Sequence, residues 1–252
     1  LYLSRVTVLI EAAVDSVASA LAAERGGAGR LELCDALHDG GTTPSAGMIS
    51  AVKAAVRIPV FVIVRPRGGG FVHTYDEIGV MRLDIEAARM LGADGVVVGA
   101  LTADARVDEE HVRTLVAAAK DLPVTFHRAF DLTRDREEAL ETLMRLGVQR
   151  VLTSGGAPMA IDGVEGIRGL LRRAGGQITI MAGGGVREET VQEIVRRTGV
   201  SEVHVRGTRA ARVPMSPYPV TIRLRKTLPE DEQVWEETDE RRIREFVRLA
   251  NG

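Results

Sequence analysis

The chain has 252 residues, 45% of them hydrophobic and 4% aromatic, with a formal net charge of −2. This length suits one barrel domain of about 250 residues, and the near-neutral charge and scarce aromatics exclude the basic field and stacking platforms of a nucleic-acid binder. A single cysteine, Cys34, excludes an internal disulfide and fits a reducing cytoplasm, and no apolar run approaches the roughly 20 residues that span a bilayer.

An apolar run predicts a first strand over 6–11, with no signal peptide around it, followed by a helix over 15–25 capped by Asp15. At Gly27-Ala28-Gly29-Arg30-Leu31 that helix ends on a Gly able to turn left-handed, and a strand over 30–34 begins. The same seam recurs at Gly92-Ala93-Asp94-Gly95-Val96, Gly147-Val148-Gln149-Arg150-Val151 and Gly199-Val200-Ser201-Glu202-Val203, predicting strands over 95–99, 150–153 and 202–206. Short apolar runs between the seams add strands over 60–65, 123–127 and 178–182. Helices fit 45–56, opened by Pro44 and Ser45, then 75–91, 108–119, 135–146, 160–173, 187–198 and 239–250, with Asp108 and Asp135 as further caps. Residues 209–238 break the rhythm with four prolines and an acidic stretch. They predict an irregular excursion serving as a lid, an oligomer contact or a partly disordered segment. Eight β/α alternations in one domain predict an α/β fold, a single (β/α)8 TIM-type barrel whose functional groups gather at one mouth.

Strand alternation turns Leu31 and Leu33 towards the helices and Glu32 and Cys34 into the barrel. The third strand ends in Arg65-Pro66-Arg67 and a run of glycines, the fifth delivers His127, Arg128 and Asp131, and the eighth carries His204. Glu11, Glu32, Arg65, His127 and His204 are therefore expected to line the mouth. A strand-end His among charges suits acid–base work. One chemistry has His127 moving a proton with Glu32 or Asp131 orienting it, and Glu32 and Arg65 are also expected to neutralise each other. Thr153-Ser154-Gly155-Gly156 and Gly184-Gly185, with Arg65 and Arg67, predict an anion site built from backbone N–H groups and helix N-termini, although tight βα turns need glycines too. A divalent metal on Glu11, Glu32 and His127 is a further option. No strand-end Lys suggests a Schiff base. His73 and His111 read as solvated, and His38 is within reach of the mouth.

These motifs carry a resemblance. Gly26-Gly27-Ala28-Gly29-Arg30-Leu31-Glu32-Leu33-Cys34, Gly40-Gly41-Thr42-Thr43-Pro44-Ser45, Arg65-Pro66-Arg67-Gly68-Gly69, Pro123 to Asp131, Val151 to Gly156 and Met181-Ala182-Gly183-Gly184-Gly185 resemble the CutC family, from about Ile10 to about His204. The resemblance implies a cytoplasmic barrel linked to copper homeostasis that assembles into oligomers, here a dimer or tetramer. Family members commonly read Glu-x-Cys-Val-Asp-Ser where this chain reads Glu11-Ala12-Ala13-Val14-Asp15-Ser16. Ala13 thus stands in place of the family's first cysteine and Cys34 matches the second. Copper(I) prefers soft sulfur donors, so any copper site here is expected to rest on Cys34 and to be weakened. Two functions follow as expectations: copper binding or handling, or an enzyme acting on a small anionic or phosphorylated substrate. Neither a nucleic acid nor a membrane is expected as partner.

Overall fold

The structure, a computed structural model, describes residues 7–214 and 233–252. Eight parallel strands, β1 (Leu9–Val14), β2 (Arg30–Leu33), β3 (Val60–Ile63), β4 (Gly95–Val98), β5 (Val124–Phe126), β6 (Arg150–Thr153), β7 (Thr179–Ala182) and β8 (Glu202–Val205), close into a barrel in sequence order, with β8 paired back onto β1. Around it run α1 (Val17–Arg25), α2 (Ala46–Ala55), α3 (Tyr75–Met90), α4 (Glu109–Ala119), α5 (Arg136–Arg145), α6 (Val164–Ala174), α7 (Glu188–Thr198) and α8 (Glu240–Asn251). Short 3₁₀ turns at Leu37–Asp39 and Arg128–Leu132 follow β2 and β5. The (β/α)8 barrel expected from the seams is the fold observed.

Local chemistry sets the element ends. Gly27, Gly92, Gly147 and Gly199, the four seam glycines, all have φ between 78° and 91°, a backbone region that strains residues with a Cβ. Ser45, Asp108 and Asp135 accept N-terminal amides of their helices. At the first helix the cap is Ser16 rather than Asp15, because β1 runs on to Val14. That extension matters, since it brings Ala13 into the strand that already held Glu11.

Outward-facing Leu31, Leu33, Val60, Val62, Val96 and Val98 pack with helix residues such as Ile49, Val52, Met81 and Ile85 in one continuous core. Inside the barrel a smaller apolar group of Cys34, Phe61, Ile63 and Val97 shares the space with charged side chains. The parity assigned to Glu32 and Cys34 is thus the parity observed.

After β8 the expected irregular excursion begins instead as a strand. β9 (Thr208–Arg212) pairs antiparallel with β10 (Val234–Thr238), Trp235 opposite Ala211, so both ends of 209–238 are ordered as a two-stranded ribbon. The ribbon is tied to α1 by the Thr238 N–H donating to Ser19 Oγ at 3.1 Å. The rest of the predicted excursion, 215–232, lies outside the described residues.

Candidate functional site at the barrel mouth

Alternate strand positions carry charge into the barrel in two levels. At the lower level Arg30 bonds both Glu11 and Glu202, and Arg150 reaches Glu202 from the other side. Both guanidinium groups lie over the Phe61 ring, 5.0 and 5.3 Å from its centroid. That ring occupies the space next to Gly95, where a Cβ would fall 2.5 Å from it. Sequence reasoning passed over Arg30, Arg150 and Glu202. Arg30, Glu32 and Cys34 all share one strand face, as do Glu202 and His204, and this polar alternation was the available signal.

One level up, register places Glu11 beside His204 and Ala13 beside Glu32. His204 Nδ1 lies 2.8 Å from Glu11 Oε1, and its Nε2 lies 3.7 Å from Glu32 Oε2. The Cys34 thiol donates to that same Glu32 oxygen at 3.5 Å. Complete burial works to raise the Glu11 pKa, but the His204 hydrogen bond and the Arg30 charge outweigh it and hold the carboxyl at about 2. At Glu32 burial prevails: with the Glu11 charge it raises the pKa against the opposing pull of His204, the Cys34 hydrogen bond and Arg30. His204 is pulled the other way by burial, yet Glu32 and Glu11 together raise its pKa. Burial and the facing Glu32 carboxylate push the Cys34 thiol well above its ordinary value, so it keeps its proton.

Across the mouth, His127 ends β5 and is buried. Its Nδ1 accepts the Ala129 N–H at 3.2 Å, which puts the ring proton on Nε2, and that atom has no partner among the described residues. The ring lies against the bare Cα of Gly99, where a Cβ would fall 2.1 Å from His127 Cε1. Burial and the nearby Arg65 charge depress the His127 pKa to about 3, so at neutral pH it is an uncharged donor rather than a proton shuttle. Neither Glu32 nor Asp131 orients it, contrary to expectation.

Arg65 does not pair with Glu32 either. Its guanidinium donates to the carbonyls of Asp39 (2.9 Å), Gly41 (3.0 Å) and Gly69 (2.6 Å), while its buried Nε has no partner among the described residues. The Phe71 ring lies 4.9 Å from the Arg65 Cζ and 4.8 Å from the His127 ring.

The loop expected to bind an external anion after β6 already holds an internal one. Asp131 accepts from the N–H of Ser154 at 3.0 and 3.1 Å and of Gly156 at 3.2 Å, and from the Thr153 hydroxyl at 2.5 Å, while Arg128 donates to it at 2.9 Å. The Gly155 N–H donates to Thr153 Oγ1. Arg67 is likewise engaged, bonding Glu77 and the carbonyls of Gly68, Gly70 and Val72 on the surface. Gly184 and Gly185 differ: no described residue accepts from their N–H groups, and both line the mouth cavity. The remaining histidines also depart from expectation. His73 and His111 are buried, the first bonding the Gly99 carbonyl and the second facing Asp108, whereas His38 is exposed beside Asp39.

These groups surround one cavity of about 510 Å³. Its wall includes Glu32, Arg65, Phe71, His127, His204 and Gly184–Arg187, with Arg128, Arg206 and Arg242 at the rim. Among the described residues, Glu11, Glu32 and His204 each offer one ligand atom within 4.8 Å of the others, so His204 takes the place expected of His127 in a metal-holding group.

The sequence profile of the CutC family matches residues 8–209. The chain belongs to the CutC family. A mouse CutC relative named copper homeostasis protein cutC homolog is 52% identical over 196 residues, covering 78% of this chain and 72% of its own. A CutC protein of Xanthomonas axonopodis pv. citri is 48% identical over 212 residues, 83% of this chain and 88% of its own. The crystal structure of CutC from Streptococcus agalactiae superposes with a TM-score of 0.75 at 36% identity, over 78% of this chain and 97% of that one. The barrel alone is shared with thiamine phosphate pyrophosphorylase from Pyrococcus furiosus, at 15% identity and a TM-score of 0.59 over 98% of this chain and 96% of that one. Thiols are scarce in this CutC-family chain, with Cys34 its single cysteine. Its mouth holds one thiol, and the sulfur of Met181 is turned to the Arg30 guanidinium at 3.3 Å. That donor set does not fit a two-thiolate copper(I) site.

Proposed function

We propose that this CutC chain serves copper homeostasis by handling copper at the barrel mouth with low affinity, with Cys34 as the soft donor and Glu32 and His204 beside it. The observation that carries this reading is that the Cys34 thiol and His204 Nε2 flank one Glu32 oxygen, at 3.5 and 3.7 Å. Copper is the cargo, and the ligand is the thiolate. The thiol already donates its hydrogen bond to Glu32, so that carboxylate is placed to take its proton as the metal arrives. A raised thiol pKa opposes this step and, with Ala13 in place of a second sulfur, weakens the site. A cytoplasmic location goes with the single free thiol; among the described residues no helix is long and apolar enough to cross a membrane. Competition titration with copper(I) under anaerobic reduction tests the reading. Cys34→Ser removes specific binding and Ala13→Cys strengthens it, whereas tight binding that survives Cys34→Ser overturns it.

A second reading, an enzyme acting on a small anionic or phosphorylated substrate, is favoured by Arg65, a buried cation on the cavity wall with no carboxylate partner among the described residues. In it the acid–base work falls to Glu32 and His204, whose pKa values are both raised, and His127 acts as a neutral donor. A thermal-shift screen of small phosphates and carboxylates tests it by linkage, and no shift with any of them counts against it.

A further inference from the structure

Two buried donors in the mouth have nothing to bond. Arg65 and His127 are each 5% exposed, and among the described residues Arg65 Nε and the proton-bearing His127 Nε2 find no acceptor. Buried polar groups are nearly always paired, so two orphans of the same sense on one cavity wall ask for a shared acceptor. Charge points the same way. Five arginines line the cavity, Arg65, Arg128, Arg187, Arg206 and Arg242, against the single carboxylate of Glu32. Arg128, Arg206 and Arg242 are held by Asp131, Glu236 and Glu188; among the described residues Arg65 and Arg187 form no ion pair, although the Asp39 charge acts on Arg65. Gly184 and Gly185, whose N–H groups have no acceptor among the described residues, line the same cavity.

One ring touches both residues. Phe71 packs on both Arg65 and His127, and its main chain is fixed by the Leu101 N–H donating to its carbonyl at 2.8 Å.

We infer that Arg65 and His127 form a receptor for one anionic group of a small ligand, a carboxylate or a phosphate, and that the Phe71 ring is the cover it displaces. This deepens the second reading above, yet concerns binding alone. An anion bound without any turnover sustains the receptor and sinks the enzyme, and the reverse result separates them the other way. Charge-assisted bonds from a guanidinium and an imidazole N–H hold the anion, and the charges of Arg65 and Arg187, which form no ion pair among the described residues, draw it in.

The experiment titrates inorganic phosphate and, separately, acetate into the ¹⁵N-labelled full chain, with chloride at equal ionic strength as control. The side-chain resonances of Arg65 Nε and His127 Nε2 are expected to shift together and saturate with one of the two anions, which identifies the class. Loss of one charge-assisted bond in His127→Phe, which keeps a ring but no donor, weakens binding about tenfold or more, while His127→Gln retains part of it. Phe71→Ala is expected to tighten binding several-fold, since the cover no longer has to be moved. Unmoved resonances in the wild-type chain with both anions overturn the inference, as does binding unchanged in a folded His127→Phe. A response equalled by chloride reduces the site to an adventitious ion only and overturns it too.

Discussion

Replacing Asp131 by Ala is the sharpest test of how the mouth is built. Its carboxylate, with a side chain 6% exposed, accepts from the Ser154 and Gly156 N–H groups and from the Thr153 hydroxyl, and it anchors Arg128. Thr153 and Ser154 are fully buried, so an alanine leaves their donors without an acceptor in the core of the β6 loop. Each stranded buried donor costs about 1–3 kcal/mol, and water reaching the vacated space recovers part of it. A net loss of about 3–5 kcal/mol follows, within the range for breaking a buried charged pair. For a domain of this size each kcal/mol lowers Tm by about 2–4 °C, so calorimetry should show a drop of about 6 °C or more. Thermal melting of Asp131→Ala and urea midpoints measured alongside check the figure. A Tm within about 2 °C of wild type would refute the reasoning that the carboxylate is the internal anion of this loop.

His127 gives a pH prediction. Its folded pKa of about 3 lies below the usual value of 6.5, so on acidification the unfolded chain takes up a proton that the folded chain refuses. Stability attributable to this residue is therefore lost as pH falls from about 6.5 towards 3, and the difference between wild type and His127→Gln in denaturant melts should narrow over that window; a constant difference contradicts it. Cys34, 1% exposed and with a raised pKa, should resist a thiol reagent in the native chain and react at once in guanidinium; fast native labelling at pH 7 argues against the assigned burial. In solution the chain is expected to be a dimer or tetramer, as its resemblance to the family implies, and light scattering that reports a monomer at micromolar concentration ends that expectation.

Most of the fold was legible because each element leaves a local mark. The four seam glycines mark helix ends, Ser45, Asp108 and Asp135 mark starts, and alternation separates Leu31 and Leu33 from Glu32 and Cys34. Partnerships between side chains far apart in sequence were not legible. Glu32 is in register with Phe61, and Arg65 stands four residues further along, about 13 Å up the strand direction at about 3.3 Å per residue. The two cannot meet there, and Glu32 finds His204 across β1 instead. Asp131 was read as a companion of His127 because it follows by four residues, yet the 3₁₀ turn at Arg128–Leu132 swings it to the neighbouring β6 loop. His73 and His111 look polar in isolation, and only tertiary packing buries them. Arg30 and Glu202 share their strand faces with Glu32 and His204, a regularity visible in the sequence once the barrel interior is known to be charged.

The central question is whether copper meets the chain at Cys34. Crystals soaked anaerobically with copper(I) and measured at the copper edge answer this directly. The account predicts one anomalous peak within bonding distance of Cys34 Sγ, next to Glu32 and His204, partly occupied in the wild type and fully occupied in Ala13→Cys. A well-occupied peak elsewhere, or one that persists in Cys34→Ser, contradicts it.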